Sequence, residues 1–328
     1  MRSWMLKVAV GTLAVGLVAT GCGGKREAAP GASSGGSCEA SDGRITIATG
    51  NAGGVYFVVG GGLAQVISAN TKLKATAAET GASVQNIQQL VAGNYDVAFS
   101  LADTAADAVN GKDAFDGKPQ KIKALTRLYP NYTQVLVRTD SGIGSIADMR
   151  GKRISTGSPK SGTEVIANRL LTAAGLDPAV DVQAQRLDLT KTADGMKDGS
   201  IDGLVWSGGL PTAQMTDITT SLKDKVKLID VSGQLDALKK INPVYDVAPI
   251  PAATYGMAAD VKTIVVPNVL LVREDFPDAN ACAITKLVYD KKADLEKVHP
   301  AAKDILRDKA ADTAPVPLHP GSEQALKG

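Results

Sequence analysis

The sequence predicts an α/β fold built from two similar Rossmann-like halves, and two observations carry the prediction. An apolar strand, a small polar turn and a helix occur at 45–64 and again at 154–174, with Thr49 answered by Thr156 at an offset of 107. Apolar runs that alternate with helical patterns favour a mostly parallel sheet with helices on its faces. A long tandem pair of this kind indicates a duplicated lobe, with a ligand held between the two copies.

The elements follow from apolar periodicity. Helices of the first half are marked by apolar residues from Val55 to Val66 and from Val84 to Val91, the second closed by Gly93. The second half repeats the alternation, and helical patterns return at 279–297 and 301–311. Strands are predicted near 44–49, 73–78, 95–100, 122–128, 133–138, 152–156, 182–187, 201–206 and 226–230, and second-half helices near 161–174, 189–198 and 211–221.

Two β-branched stretches, 133–138 and 261–272, flank the second half and are the expected crossings between lobes. The first lobe would then comprise 43–135, the second 136–260, and residues 261–328 would return to pack C-terminal helices on the first lobe. A chain that leaves one lobe, builds another and returns is expected to contain a hinge.

The N-terminus predicts export. Arg2 and Lys7 precede an apolar stretch at 8–19, which is far shorter than the roughly 20 residues that span a bilayer, so residues 1–21 are predicted to be a signal peptide. Cys22 then completes a sequence that resembles a lipobox and predicts lipidation; the alternative is a plain cleaved signal with an incidental cysteine. Residues 22–42 predict a flexible tether reaching about 25 Å. The expected location is extracytoplasmic, lipid-anchored to the outer face of the cell membrane.

Charge and cysteine content limit the partners. The formal charge of +2 includes the two basic residues of the signal, so the mature chain is neutral, which suggests neither nucleic acid nor acidic lipid as a partner. Outside the cytoplasm, Cys38 and Cys282 are expected to form a disulfide, the alternative being two free thiols. A monomer is expected.

Catalytic constellations are absent from the sequence. The two histidines, His299 and His319, have no companions at metal-ligand spacing, and neither a Gly-x-Ser-x-Gly elbow nor a Walker A motif occurs. Ala52 stands where a dinucleotide loop requires its second glycine. The sequence therefore predicts a protein without metal or cofactor, and not an enzyme.

Helix starts carry the candidate ligand chemistry instead. Gly53 and Gly54 permit close backbone approach, and unpaired N–H groups at a helix start suit a carboxylate. The second half offers the same at Ser161, Gly162 and Thr163, and a third start follows Thr80, with Ser83 as the cap and Asn86 three residues on. Ordinary N-capping is the alternative for each hydroxyl.

Three further side chains are candidates for ligand contact, one at a helix start and two near strand ends. Tyr56 would close over a ligand with its ring and hydroxyl. Asp103, shortly after Ser100, would either face the cleft or cap its helix. Trp206, at the carboxyl end of a strand, is favoured as a cleft wall over a place in the lobe core.

Taken together, these motifs resemble the TAXI family, the solute receptors of TRAP transporters. The resemblance implies a type II periplasmic-binding-protein fold, with two Rossmann-like lobes joined by crossing hinge strands and closing on a small carboxylate such as glutamate or 2-oxoglutarate. The sequence departs from the family pattern at Asn51, Ala52 and Ala82. The alternatives are a substrate-binding lipoprotein of an ABC importer, an enzyme on the same fold, and a sensor subunit. The motifs occur in order at 49–56, 80–86, 100–103, 151–163, 254–255, 266–268 and 317–321.

The ligand-binding residues that position and resemblance together predict come from both halves of the chain. They are Gly53, Gly54, Tyr56, Thr80, Ser83, Asn86, Ser100, Asp103, Ser161, Gly162, Thr163 and Trp206.

Overall fold

The computed structural model describes residues 38–327. The predicted signal peptide, Cys22 and the tether up to residue 37 lie outside the described residues. Strands and helices alternate through the first half, which ends in one very long strand. These elements are β1 (Gly43–Ala48), α1 (Val55–Asn70), β2 (Leu73–Ala78), α2 (Ser83–Val91), β3 (Val97–Leu101), α3 (Ala102–Asn110) and β4 (Ile122–Arg138).

The second half repeats the alternation with shorter strands, and the chain then returns through a second long strand to C-terminal helices. These elements are β5 (Arg153–Ser155), α4 (Gly162–Ala173), β6 (Gln183–Gln185), α5 (Leu189–Asp198), β7 (Gly203–Gly208), α6 (Ala213–Leu222), β8 (Val226–Leu228), α7 (Leu235–Ile241), β9 (Asp246–Ile250), α8 (Ala252–Tyr255), β10 (Val261–Arg273), α9 (Asp278–Asp290), α10 (Lys292–Val298) and α11 (Pro320–Lys327).

The ten strands found among residues 38–327 form one hydrogen-bonded sheet. Its order is β2-β1-β3-β10-β4-β7-β5-β6, with β8 on β4 and β9 on β10. β1 pairs in parallel with β2 and β3, and β5 pairs in parallel with β6 and β7, as the alternation of strands and helices predicts. We call β1–β3 with α1–α3 the first sheet half, and β5–β7 with α4–α6 the second sheet half.

β4 and β10 connect the two sheet halves. They pair antiparallel with each other in the middle of the sheet, where β10 also pairs with β3 and β4 also pairs with β7. The prediction of two separate strands at 122–128 and 133–138 was wrong, because the chain continues through 129–132 as one extended strand. Pro130 in β4 lies opposite Pro267 in β10, beside a register shift. Proline has no N–H to donate, so the ladder is weakened at this point.

Two other local predictions differ from the structure. The segment 301–311 forms short 3-10 turns at Pro300–Asp304 and Arg307–Lys309 instead of one helix. The cap of α2 is Ala82, and Ser83 is the first helical residue, with its hydroxyl accepting a hydrogen bond from the N–H of Leu101. The difference at the start of α2 is within the one or two residues by which helix ends are ambiguous.

Buried apolar side chains form the core between the sheet and the helices that pack on it. The central strands contribute fully buried side chains such as Phe99, Leu136 and Leu270, while α1 buries Leu63 and Ile67. Within the part of the chain that the structure describes, no helix is long and apolar enough to cross a membrane.

Cys38 and Cys282, which are 244 positions apart in the chain, are joined by a disulfide with their Cα atoms 5.1 Å apart. The bond fastens the start of the described chain to α9, where Cys282 is fully buried.

Removing this bond is expected to destabilise the fold. A cross-link that closes so long a loop restricts the unfolded chain, so the pair Cys38→Ser with Cys282→Ala is expected to lose about 2–4 kcal/mol of unfolding free energy. The measurement is urea unfolding with and without a reductant, in the chain lacking residues 1–22. Reductant is expected to leave the double variant unchanged, and an unchanged midpoint in the wild type would contradict the prediction.

Candidate ligand-binding site

A cavity lies between the two sheet halves, beside the crossing strand β4. The empty space within the cavity and at its open mouth is about 410 Å³. The lining residues are Gly50, Asn51, Gly54, Val55, Tyr56, Ala82, Ser83, Leu101, Asn131, Ser161, Gly162, Thr163, Trp206, Ser207 and Gly208.

Three helices begin at this cavity. In each helix the third amide has an acceptor: the N–H of Phe57 donates to Gly54, that of Gln85 to Lys160, and that of Glu164 to Ser161. The first two amides of each helix have no acceptor among residues 38–327. They belong to Val55 and Tyr56 in α1, to Ser83 and Val84 in α2, and to Gly162 and Thr163 in α4.

Among residues 38–327, no charged side chain lines the cavity, so only dipoles at its walls are available to attract an anion. Unpaired first-turn amides leave a partial positive charge at a helix N-terminus, and three such ends add to one another where they meet. Their convergence is therefore suited to an oxyanion without a basic side chain.

The side chains of α4 present further donors. The hydroxyl of Ser161 accepts from the N–H of Glu164 at 2.9 Å, and the hydroxyl of Thr163 accepts from the N–H of Ser207 at 3.2 Å. Each hydroxyl thus has one lone pair engaged, which leaves its O–H proton for another acceptor.

Asn131 of the crossing strand β4 lines the cavity, and Asn268 of β10 supports it by a hydrogen bond. The amide of Asn268 donates to the side chain of Asn131 at 2.7 Å, and the amide of Asn131 donates to the backbone carbonyl of Ser207 at 3.2 Å. The hydroxyl of Tyr56 donates to the side-chain oxygen, Oδ1, of Asn268. Burial raises the pKa of Tyr56 well above its usual value, so this phenol stays neutral. Both asparagines directly follow the facing prolines Pro130 and Pro267.

Trp206 forms a wall of the cavity. Its indole N–H donates to the hydroxyl of Thr212 at 3.1 Å, which fixes the ring. A Cβ added at Gly54 would lie 3.5 Å from the ring, so the tryptophan of the second sheet half faces the first turn of α1.

The structure brings seven of the twelve predicted site residues to the cavity lining and leaves five away from it. The seven are Gly54, Tyr56, Ser83, Ser161, Gly162, Thr163 and Trp206. Of the other five, Gly53 has a left-handed φ of 76° and lies against Gln214 at the rim.

Thr80, Asn86 and Ser100 support the loops around the cavity from behind. The amide of Asn86 donates to the carbonyls of Thr49 and Phe99, and its oxygen accepts from the hydroxyl of Thr80 at 2.6 Å. The Ser100 hydroxyl donates to the carbonyl of Leu101. The side chains of Thr80, Asn86 and Ser100 therefore make hydrogen bonds within the first sheet half. The sequence pattern did not indicate these bonds.

Asp103 also points away from the cavity. It is fully buried and accepts from the guanidinium of Arg169 at 3.2 Å and from the hydroxyl of Tyr245. The same guanidinium donates to Asp107 and Asp113, each at 2.6 Å. We call these residues the Arg169 cluster. It joins α3 of the first sheet half to α4 of the second.

The charges of the Arg169 cluster shift one another's pKa values. Burial opposes the charged form of Arg169, but Asp103, Tyr245 and Asp107 outweigh it and hold the pKa of Arg169 above its usual value. Burial raises the pKa of Asp107 from 3.8 to about 6, with Arg169 opposing and Asp103 and Asp113 adding to the rise.

Polar contacts at the rim also join the two sheet halves. The hydroxyl of Ser158 donates to the side chain of Asn51 at 2.9 Å. Lys160 lies at this rim, where its carbonyl accepts from the N–H of Gln85 and its ammonium donates to Gln88 at 3.2 Å. The structure is therefore a closed arrangement, with contacts on several sides of the cavity.

Asn131 and Ser207 are lining residues that were not predicted. Asn131 lies in the stretch between two predicted strands, and Ser207 directly follows Trp206, so position at a strand end was the available signal. Among the described residues no group of three His, Cys, Asp or Glu side chains is placed to hold a metal ion.

A family model described as the NMT1-like family matches residues 47–328. The chain belongs to the NMT1-like family. The chain is also similar in structure to solved proteins with which it shares little sequence identity.

Two such structures have TM-scores of 0.55. One is a binding protein component of an ABC phosphonate transporter from Pseudomonas aeruginosa, with 13% identity over 81% of this chain and 80% of that chain. The other is a protein from Bordetella bronchiseptica RB50, with 18% identity over 87% of this chain and 82% of that one. These likenesses confirm the predicted fold class for this NMT1-like protein: a mixed α/β fold of the type II periplasmic-binding class.

Proposed function

We propose that the protein is an extracytoplasmic solute receptor that binds a small organic anion between two lobes and delivers it to a membrane importer. The observation that carries this proposal is that three helix N-termini meet at one cavity. Among residues 38–327, six of their amides lack acceptors and no charged side chain lines the cavity. Similarity of the fold to a binding protein component of a transporter also supports a receptor function.

In this proposal the two sheet halves are the lobes, and β4 and β10 are the hinge. Rotation is expected at Pro130 and Pro267, because the ladder has no N–H donors there and the register shifts beside them. Ligand contacts from both lobes would stabilise the closed state, since a ligand shifts this equilibrium only by its difference in affinity for the two states.

For the importer we place the ABC type first. Its support is the similarity to a binding component of an ABC transporter. The second candidate is a TRAP permease, supported by the resemblance of the loop motifs to TAXI receptors. The neighbouring reading frames would distinguish them: a P-loop ATPase supports the first, and a large permease of many helices without an ATPase supports the second. Lipid anchoring at Cys22 belongs to either proposal.

Trp206 gives a direct test of ligand binding. The sequence has two tryptophans, Trp4 and Trp206, so the chain lacking residues 1–22 retains only the one in the cavity wall. Mass spectrometry of the purified protein would identify a bound anion, and titration of the stripped protein with that anion is expected to change the fluorescence of Trp206 to saturation.

Ser83→Ala and Thr163→Ala are each expected to lower the affinity about tenfold, the size of one hydrogen bond to a charged group. Ser68→Ala is the control, because its hydroxyl bonds to Ala75 behind the sheet. If both cavity variants kept the wild-type affinity, the ligand would not bind in this cavity.

A further inference from the structure

Ser207 has a buried hydroxyl that finds no hydrogen-bond partner in the part of the chain that the structure describes. The residue is 6% exposed at the end of β7, and it lines the cavity. Its N–H donates to the hydroxyl of Thr163, and its carbonyl accepts from Asn131. Its Oγ has no hydrogen-bond partner within residues 38–327. An unpaired buried hydroxyl costs free energy, so a hydroxyl kept in such a place indicates a partner that arrives from outside.

The groups around Ser207 are rich in donors. Six first-turn amides and the hydroxyls of Ser161 and Thr163 have protons without an acceptor among the residues the structure describes. The partner that satisfies them must offer several lone pairs, as a carboxylate or another oxyanion does.

The lining of the cavity that the structure describes offers no negative charge to pair with a cationic ligand group. Among the residues that the structure describes, no carboxylate lines the cavity. Asp103 is engaged by Arg169 and Tyr245, and Glu79 accepts from the N–H of Ala52 at the exposed rim. An ammonium group would thus lose its hydration next to three positive helix ends without gaining an ion pair.

From these observations we infer that the cavity selects a small organic oxyanion that has no ammonium group, and that the Ser207 hydroxyl donates a hydrogen bond to it. The inference rests on the proposed receptor function and narrows its ligand class. Within the carboxylates expected from the sequence, it selects oxo and hydroxy acids over the corresponding amino acids.

Matched ligand pairs test the selection. Calorimetry with the stripped chain lacking residues 1–22 would compare 2-oxoglutarate with glutamate, pyruvate with alanine, and lactate with alanine. In each pair with detectable binding, the acid without the amine is expected to bind at least tenfold more tightly. Equal or tighter binding of the amino acid overturns the inference while leaving the receptor function in place.

The role of Ser207 is tested with the tightest oxyanion of that panel. Ser207→Ala is expected to weaken its binding about tenfold, the size of one charge-assisted hydrogen bond. The free variant is expected to unfold at the same or a higher urea concentration, because the substitution removes an unpaired polar group.

Ser155→Ala is the matched control. That serine is also buried at the end of a strand of the second sheet half, but its hydroxyl bonds to Thr192 at 2.6 Å. The control is expected to lose stability and to keep its affinity. Unchanged affinity in Ser207→Ala overturns the contact. If no panel member binds and no small molecule co-purifies, the receptor function fails, and the inference fails with it.

Discussion

Arg169→Met is expected to weaken ligand binding about 100-fold and to shift the free protein towards an open form. Arg169 is the only cation within hydrogen-bonding distance of Asp103 and Asp107 among the described residues, and all three side chains are buried. Removing one partner from a buried ion pair typically costs about 3–5 kcal/mol, because the remaining charges stay dehydrated. Opening of the two sheet halves would return those carboxylates to water, so the cost is expected to appear as a loss of the closed state.

The measurement is small-angle scattering of the free protein together with calorimetry. Arg153→Met is the matched control. Arg153 makes a two-pronged ion pair with Asp202, but both residues belong to the second sheet half. The control is expected to keep both its radius of gyration and its affinity. A compact Arg169→Met variant with wild-type affinity would show that the Arg169 cluster does not hold the closed state.

The defect of Arg169→Met is also expected to depend on pH. The pKa of Asp107 is about 6 in the folded wild type and 3.8 ordinarily. The folded state therefore binds this proton more tightly, and the group's contribution to stability falls as the pH rises from about 4 to 6. Loss of the guanidinium would raise that pKa further, so the difference between variant and wild type is expected to be larger at pH 7.5 than at pH 5. An equal difference at both pH values would assign the defect to packing.

Gly162→Ala is expected to reduce ligand affinity at least 100-fold with little change in the free energy of unfolding. An added Cβ would lie 2.5 Å from a methyl group of Leu101 and 2.7 Å from the hydroxyl of Ser83, both in the first sheet half. Contacts this short force the two halves apart, and the first-turn amides of α4 would then no longer reach the ligand held by α1 and α2. Within α4 itself, alanine is a better helix former than glycine.

Calorimetry and scattering in the presence of ligand measure this effect. Gly61→Ala is the control, because a Cβ at Gly61 on α1 would meet nothing within 4 Å. It is expected to bind as the wild type does. Wild-type binding by Gly162→Ala would mean that the ligand does not require the closed arrangement described above.

The candidate site was predictable where it is made of backbone. Helix starts at Gly54 and Ser161 follow from strand, small-residue turn and apolar period, which are local features. The side chains were less predictable. Asp103, Asn86 and Ser207 are all polar residues near strand ends. Hydrogen bonds to other parts of the chain engage the side chains of Asp103 and Asn86, whereas the Ser207 hydroxyl has no partner among the described residues.

The fold shows the same division. Repeated strand–helix units predicted parallel pairing within each half, because short-range periodicity determines which face of an element is buried. The fusion of two predicted strands into β4 was missed, since a proline within the stretch normally argues against a central strand. Pairing with β10, whose own proline lies directly opposite, makes the interruption tolerable.

By itself, then, the sequence determined the alternating α/β halves, the donor-rich helix starts and the absence of catalytic motifs, because each depends on residues close together in the chain. Only the tertiary structure decided that α1, α2 and α4 meet at one cavity, and that Asp103 forms an ion pair with Arg169. It also decided that, within residues 38–327, no charged side chain lines this cavity and the Ser207 hydroxyl has no partner. These facts depend on long-range contacts between side chains, and each requires both sheet halves to be in place.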